Sequence, residues 1–287
     1  MSVDRALVEL LVSNGLSQRR ACRSLNVCRM SIRYRARPES ALNVRLRGQL
    51  RHWAQRHRRY GTPRMTALAR RQEPLNHKRV ERLWKEEGLP LPKKRRWRRP
   101  ETPVWARVAE ATRPNEVWCL DFVHDRTYYG QNLKMLTVLD EYTRECLEIR
   151  VEKGMGHLDV LETLDELMAE KGAPGYLRSD NGAEFIALPL QKWLHGEGVR
   201  TVHTEPGSPW QNGFIESFNG KLRDECLNQE IFFSRAEAQV IVDAWRVEYN
   251  SERPHSGLGF KTPLEVLAAA VPQQSSASNL NLEQKTG

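Results

Sequence analysis

Three acidic residues occupy positions where carboxylates could do chemistry. Asp121 interrupts the apolar run EVWCLDFVHD, where burying a charge is costly unless a partner compensates for it. Asp180 ends the segment GYLRSD, and Glu216 follows a loop rich in glycine and proline at the start of a long helical stretch. If the three side chains converge, they supply hard oxygen ligands suited to Mg²⁺. Two such ions about 4 Å apart would serve phosphodiester displacement.

Each acid taken singly has a plainer explanation. An aspartate at the end of a strand is commonly a cap or turn residue. The interval is more informative, because 35 residues, 181–215, separate Asp180 from Glu216. Asp140 and Glu184 do not fit this spacing. Asp125, near the end of its own strand, is interpreted as structural.

The elements that must position these acids begin near residue 112, where strands and helices alternate. EVWCLDFVHD is apolar on both faces, which predicts a central buried strand. NLKMLTVLDEYT and CLEIRV predict two further strands, and GYLRSD and VRTVHT predict two short ones. Helices are predicted over about 157–171, around 187–196 and from about 214. The order β-β-β-α-β-α-β-α predicts an α/β fold over 112–271, with one mixed five-stranded sheet flanked by helices.

Charge is divided unevenly along the chain. Residues 1–100 hold 27 Lys and Arg against 7 Asp and Glu, a net charge of +20, whereas the other 187 residues carry a net charge of −11. A segment this basic predicts binding to the phosphates of double-stranded DNA, with a steep dependence on salt. A basic run can also be only a solvated surface, and the sequence leaves that alternative open.

Two all-helical regions precede the strands. Residues 1–38 predict three short helices with a turn before the last, a helix-turn-helix pattern that would bind either DNA or protein. Residues 42–92 predict a second helix-turn-helix that binds DNA, and 93–111 a basic linker. The polar tail 272–287 is predicted to be disordered. The DNA-binding candidates in these regions are Arg29, Arg33, Lys78, Arg79, Arg82, Lys93, Lys94, Arg95 and Arg96.

Several sequence blocks, in order, resemble one family: the insertion-sequence transposases of the family numbered three, within the retroviral-integrase superfamily. The blocks span about 115–264 and read VWCLDFVHD, LTVLDEYTRECL, RSDNGAEF, PGSPWQNGFIESFNGKLRDECLN and WRVEYNSERPHSGLGFKTP. HRRYGTPRMTALAR and HKRVERLWKEEGL are similar to the helix-turn-helix that precedes this core. The resemblance implies an OrfB-type product with an RNase H-like core, whose catalytic and metal-binding acids are Asp121, Asp180 and Glu216.

The same resemblance implies a reaction, a cofactor and partners. The expected reaction is metal-dependent DNA cleavage and strand transfer at the terminal inverted repeats of an insertion sequence, with two Mg²⁺ ions, or Mn²⁺ in their place. The expected partners are double-stranded DNA of the element ends and target, further copies of the chain on DNA, and a protein or fusion from an upstream reading frame. Two alternatives stay open: an RNase H-like nuclease without strand transfer, and a catalytically inactive DNA-binding regulator of transposition.

The family also carries a basic residue seven positions after the glutamate, here Arg223. Two helical turns bring positions 216 and 223 to nearly the same face, so both side chains could face DNA. An ion pair within the helix is the alternative, but adjacent residues do not face each other and Leu227 is apolar. Four further DNA-binding candidates lie in the matched blocks: Lys221, Asn181, Gln211 and Asn212.

Composition excludes other classes of protein. The five cysteines are an odd number without a C-x-x-C pair, which indicates reduced, buried thiols and not a disulfide framework. No run of 18 apolar residues is present, so neither a spanning helix nor a membrane partner is expected. The chain is therefore predicted to be cytoplasmic, and associated with the nucleoid when bound to DNA.

Overall fold

A computed structural model describes four stretches of the chain: residues 3–34, 38–92, 111–203 and 212–270. Its contacts divide the chain into two compact units, residues 1–48 and 49–287. Within the four stretches, no helix is both long enough and apolar enough to cross a membrane. The residues that the sequence assigned to a basic linker, 93–110 in particular, lie outside the description, as does the tail from residue 271.

The first unit is a small cluster of helices. It contains three short helices and the start of a fourth: α1 (Val3–Ser13), α2 (Gln18–Ser24), α3 (Arg29–Arg33) and α4 (Ala41–Arg56). The Ser17 side chain accepts a hydrogen bond from the backbone N–H of Arg20, which caps α2. Its buried centre is small, consisting of Val8, Ala21 and Cys22 with partly buried neighbours such as Leu11 and Ile32.

The second unit opens with the rest of α4 and two further helices, α5 (Thr62–Arg70) and α6 (His77–Glu86). Pro63 lies in the first turn of α5, where its missing N–H leaves no hydrogen bond unmade. The Asn76 side chain accepts a hydrogen bond from the backbone N–H of Lys78 and caps α6. The two helices bury the apolar side chains Met65, Ala69, Val80, Leu83 and Trp84.

A mixed five-stranded sheet follows, as the sequence predicted. Its strands are β1 (Val117–Arg126), β2 (Asn132–Asp140), β3 (Cys146–Glu152), β4 (Tyr176–Ser179) and β5 (Arg200–His203). The order across the sheet is β3-β2-β1-β4-β5. β1 and β3 pair with β2 in antiparallel fashion, whereas β4 is parallel to both β1 and β5. The longest strand, β1, therefore lies in the middle of the sheet.

Helices cover both faces of this sheet. One face packs on α7 (His157–Lys171), α8 (Ala183–Ile186) and α9 (Leu188–Gly196); the other packs on α10 (Gly213–Glu225) and α11 (Arg235–Ser251). Trp118 and Leu120 of β1 are buried on the first face, and Cys119 and Val123 on the second. This explains why β1 shows no polar alternation. The last helix, α12, spans Pro263–Ala270.

The cysteines are free, and one of them departs from expectation. Four are buried, as predicted, but Cys28 is exposed at the start of α3. Cys28 is the residue directly before α3. This short helix has no fully buried side chain, so the Cys28 thiol is not covered by a core.

Ion pairs connect α5 and the residue after α4 to the sheet-containing part of the second unit. Arg64 of α5 lies 3.4 Å from the carboxylate of Glu225 at the end of α10, and His57 lies 3.0 Å from Glu248 of α11. Arg253, only 1% exposed, donates two hydrogen bonds of 2.7 and 2.6 Å to Glu225. The carboxylate of Glu225 is thus shared between a helix of the amino-terminal half and the segment after α11.

His255 makes folding dependent on pH. Burial first, and then the charge of Arg253, lower its pKa to about 3, because the imidazolium is poorly solvated. The group is charged more readily when unfolded, so its stabilising contribution is complete above about pH 6.5 and is lost as pH falls towards 3. We expect urea titrations to show about 2 kcal/mol less stability at pH 5 than at pH 6.5 from this group.

The comparison that isolates this contribution is His255→Gln, which should flatten that part of the pH dependence. His195→Gln, at an exposed position of α9, is the matched control and should keep the wild-type slope. Equal slopes for the wild type and His255→Gln would show that His255 does not titrate in this way.

Candidate active site

Asp121 lies in the middle of β1 on the face covered by α10, and its carboxylate is half-buried. One oxygen, Oδ1, accepts a hydrogen bond of 2.8 Å from the backbone N–H of Phe122. The other, Oδ2, accepts one of 2.8 Å from the Asn219 side-chain amide of α10. These bonds offset part of the cost of removing the carboxylate from water.

Thr137 on the neighbouring strand extends this network. It is the direct cross-strand partner of Asp121 in the register of β1 and β2. Its hydroxyl lies 3.1 Å from Asn219 Oδ1 and 3.0 Å from the Asp121 backbone oxygen, and can donate to one of them at a time. Asn219 is consequently held with its amide nitrogen towards the Asp121 carboxylate.

The charges of the other two acids affect the pKa of Asp121. Burial raises the pKa of the Asp121 carboxyl, and the negative charges of Asp180 and Glu216 raise it further. The hydrogen bonds from Phe122 and Asn219 act in the opposite direction without cancelling the shift. A carboxylate whose charge is opposed by two further carboxylates belongs to a site that a cation would stabilise.

Asp180 follows β4 directly, at the level of Asp121. In the parallel register Cys119 pairs with Arg178, and each acid is two residues further on. Adjacent strands are about 4.8 Å apart. Asp180 is exposed, and its Oδ1 accepts a 2.9 Å hydrogen bond from the Gly182 N–H in a local turn. A Cβ atom at Gly182 would lie 3.0 Å from that oxygen, so a side chain there would require the Asp180 carboxylate to shift by a few tenths of an ångström.

Glu216 lies in the first turn of α10 and is exposed. The same helix buries Ile215, Phe218 and Leu222 against the sheet. Residues three apart on a helix are neighbours on its surface, so Glu216 lies beside the Asn219 that contacts Asp121. Its carboxylate makes no hydrogen bond to any of the residues that the structure describes.

Asp121 lies on the central strand β1, Asp180 directly follows the adjacent strand β4, and Glu216 lies on α10, but the three carboxylates do not close on one point. In the described stretches, no three acidic, histidine or cysteine side chains are gathered tightly enough to hold an ion as they stand. The donor set nevertheless suits Mg²⁺, because it consists of carboxylate oxygens. Binding would require the exposed carboxylates of Asp180 and Glu216 to move towards the better-fixed Asp121.

Arg223 has partners other than those considered from the sequence. Its Nη2 donates a 2.7 Å hydrogen bond to the backbone oxygen of His124, and its Nη1 lies 3.7 Å from Asp125 Oδ2. The guanidinium therefore lies against the end of β1, on the same side of α10 as Glu216. Asp125, interpreted from the sequence as structural, is the acidic partner of this arginine.

The other predicted residues of the core are dispersed. Lys221 donates to the Ser217 hydroxyl at 3.0 Å and is half-buried. Asn212 is buried immediately before α10, and its Oδ1 has no hydrogen-bond partner among the described residues. Asn181 is exposed next to Asp180. Gln211 lies outside the described residues.

The candidates in the amino-terminal half are mostly exposed. Arg29 and Arg33 of α3 both donate from Nε to the side-chain oxygen of Gln18. Lys78 and Arg79 are exposed on α6, whereas Arg82 is engaged by Glu86 one turn later at 3.2 Å. The remaining four candidates, Lys93, Lys94, Arg95 and Arg96, lie outside the described residues.

Two residues of the site were not identified from the sequence: Asn219 and Thr137. For Asn219 a signal existed, because it lies three positions after Glu216 and so shares its helix face. For Thr137 no local signal exists, since only the strand register places it opposite Asp121.

Comparison with known proteins yields three matches to families. The integrase core domain matches residues 111–209, and a second integrase core family matches residues 197–263. An HTH-like domain matches residues 45–97. Together the matches cover the helices α5 and α6, the sheet, and α10 and α11.

Similar proteins come from bacterial insertion elements. The insertion element IS407 uncharacterized 31.7 kDa protein of Burkholderia multivorans is 40% identical over 88% of this chain and 91% of its own length. The insertion element IS476 uncharacterized 39.2 kDa protein of Xanthomonas euvesicatoria is 38% identical over 94% of this chain and 78% of its own. Transposase InsF for insertion sequence IS3A of Escherichia coli is 27% identical over 71% and 75%, respectively.

Proposed function

Because the chain belongs to the integrase-core transposases of insertion sequences, we propose that it cuts DNA at the ends of its element and joins those ends to a target. The proposal places the chemistry at Asp121, Asp180 and Glu216. The HTH-like helices and the basic amino-terminal region are assigned to binding the terminal inverted repeats. A homo-oligomer on DNA would bring two ends together, with an upstream-frame protein or fusion as a further partner.

The observation that carries the proposal is the environment of Asp121. A half-buried carboxylate whose pKa is raised by burial and by two further carboxylates is destabilising in a protein without a cation. Such an arrangement is typical of functional sites, where stability is given up for chemistry. Carboxylate-only ligation favours Mg²⁺ or Mn²⁺ over softer metals.

The reaction needs two displacements at phosphorus. Water attacks the phosphodiester at the element end, and the bond from phosphorus to the 3′ oxygen breaks, which leaves a 3′-OH. That hydroxyl then attacks a target phosphodiester and displaces the 3′ oxygen of the target strand. Two ions bound by the three acids would activate the attacking oxygen and stabilise the leaving one.

The side chains around the acids have separate tasks in this proposal. Asn219 orients the Asp121 carboxylate through the hydrogen bond from its amide nitrogen. The Thr137 hydroxyl contacts the amide oxygen of Asn219, which favours this orientation of the amide. Arg223, half-buried on the same side of α10 as Glu216, exchanges its contact with Asp125 for a DNA phosphate. Arg29, Arg33, Lys78 and Arg79 are exposed on short helices and supply positive charge for backbone contacts.

The deciding experiment is a strand-transfer assay with the terminal repeats of the element that encodes the chain, with and without Mg²⁺. Joined products that require Mg²⁺ or Mn²⁺ are the expected result. Cleaved but never joined ends would favour a nuclease without strand transfer. Binding of the repeats without any cleavage, under every divalent metal tried, would favour a catalytically inactive regulator.

Asn219→Ala should weaken metal binding without removing a ligand. Loss of an orienting partner to a metal ligand typically costs 10- to 100-fold in metal affinity or activity. We therefore expect the Mg²⁺ concentration for half-maximal strand transfer to rise by about tenfold or more. Asn228→Ala, at an exposed position beyond α10, is the matched control and should leave that concentration unchanged. The same Mg²⁺ requirement in Asn219→Ala and the wild type would remove Asn219 from this role.

A further inference from the structure

A cluster of cations surrounds one face of α10, away from the three acids. At about 100° per residue, Phe214, Lys221 and Glu225 share this face. Arg144, in the turn between β2 and β3, lies over the ring of Phe214, and Arg64 of α5 and Arg253 both contact Glu225. The charges of these three arginines lower the pKa of Lys221. We call this group, with Lys221, the cation cluster.

Glu225 is the carboxylate inside the cation cluster, and it is already engaged. Arg253 donates to both of its oxygens, and Arg64 approaches one of them at 3.4 Å. Glu141, the carboxylate with the largest effect on the pKa of Arg144, is paired with Arg178. His255 adds no charge near pH 7, because burial lowers its pKa. The cluster therefore carries an excess of positive charge.

Arg144 lacks a partner for its charge. Its backbone is in the left-handed region, with φ of 63°, and its guanidinium lies 3.3 Å over the ring of Phe214. Among the described residues, its buried Nη1 has no hydrogen-bond partner and no carboxylate lies within ion-pair distance. Leaving a buried guanidinium N–H unsatisfied is costly, so a missing acceptor is indicated.

Lys221 also lacks a carboxylate partner among the described residues. Its ammonium group contacts the Ser217 hydroxyl at 3.0 Å but pairs with no carboxylate in the described part of the chain. Burial, followed by the charge of Arg253, lowers its pKa to about 8. The charge of an anion placed next to the ammonium group would oppose both effects. Ser217 is exposed, so such an anion could enter from solvent.

We propose that Lys221, Arg144 and the Ser217 hydroxyl form a phosphate-binding pocket, with Arg64 and Arg253 as its positive wall, that takes one backbone phosphodiester of bound DNA. An arginine, a lysine and a hydroxyl together supply the donors that phosphate oxygens accept. Lys221 is five residues from Glu216, roughly 7.5 Å along the helix axis. That distance is about two nucleotide steps of duplex DNA. The exposed Ser217 and Gly220 lie between the two positions.

This inference rests on the proposed function for its ligand, but its test needs neither metal nor catalysis. A labelled duplex carrying the terminal repeat is titrated by fluorescence anisotropy in EDTA, at salt concentrations between about 50 and 200 mM. Lys221→Gln and Arg144→Gln should each bind more weakly and reduce the slope of log affinity against log salt by about one unit. Lys221→Arg should retain the wild-type slope.

Lys192→Gln, on the exposed side of α9, is the matched control and should leave the slope unchanged. Thermal unfolding without DNA guards against misfolding, because removing one charge from the cation cluster should leave the melting temperature unchanged or raise it. Wild-type slopes in both folded variants would overturn the pocket while leaving strand transfer untouched. Both variants could also keep the wild-type slope while 10 mM inorganic phosphate raises the melting temperature of the wild type and of neither variant. That result would identify a site for a free anion, and would equally overturn the assignment to DNA.

Discussion

Asp121→Asn is expected to abolish strand transfer while leaving the protein folded and able to bind DNA. The substitution removes one negative oxygen ligand and keeps the shape of the side chain, so the loss should be at least about a hundredfold. Asp180→Asn and Glu216→Gln should have the same consequence, because the three carboxylates act as one site. The measurement is the yield of joined product from terminal-repeat DNA in Mg²⁺.

Stability provides an internal control for this result. The pKa of Asp121 is raised in the folded protein, so its carboxylate opposes folding near neutral pH. Asp121→Asn should therefore melt at the same temperature as the wild type or higher. Asp165→Asn, exposed on α7, should keep full activity. Strand transfer above a few per cent of wild type in Asp121→Asn, or a matching loss in Asp165→Asn, would contradict the assignment.

Glu225→Gln is expected to destabilise the second unit strongly. It would leave Arg253, which is 1% exposed, without a negative partner, and would free Arg64 as well. Removing one member of a buried ion pair costs about 3–5 kcal/mol, because the remaining charge stays desolvated. At about 2–4 °C for each kcal/mol in a unit of this size, the melting temperature should fall by about 10 °C.

The expected destabilisation comes from the buried partner and not from the loss of a negative charge as such. The control therefore removes an exposed carboxylate elsewhere. Glu230→Gln, exposed after α10, should shift the melting temperature by no more than about 1–2 °C. The double change Glu225→Gln with Arg253→Met should be less destabilising than Glu225→Gln, since no buried charge is then left alone. A small effect of Glu225→Gln would show that water reaches Arg253.

The sheet could be predicted because its strands leave a local pattern. A strand apolar on both faces must be central, and β1 is buried from both sides. The interval between Asp180 and Glu216 and the blocks around them predict the three acids as the catalytic site, and that assignment stays a prediction, although the charges of Asp180 and Glu216 do act on the Asp121 carboxyl. The long helix predicted from about 214 begins at Gly213.

What could not be predicted depends on contacts between distant parts of the chain. The register that places Asp180 level with Asp121 is set by the pairing of β4 with β1, which no local periodicity encodes. The pair Arg64–Glu225 joins residues 161 positions apart, and both look like ordinary helix-surface charges in the sequence. From the sequence, only residues of the same helix were considered as ion-pair partners of Arg223, whereas its partner Asp125 lies on β1.

The two ends of α10 are held differently, and this has a mechanical consequence. Glu225 is paired with Arg253 and Arg64, whereas Glu216, in the first turn, has no hydrogen-bond or ion-pair partner among the described residues. The nine helical steps from Glu216 to Glu225 span roughly 13 Å. A pivot of about 10° around the anchored end would therefore carry the Glu216 carboxylate by roughly 2 Å. Of all the positions along α10 up to Glu225, those of the first turn would therefore be displaced most by a tilt about the contact with α5.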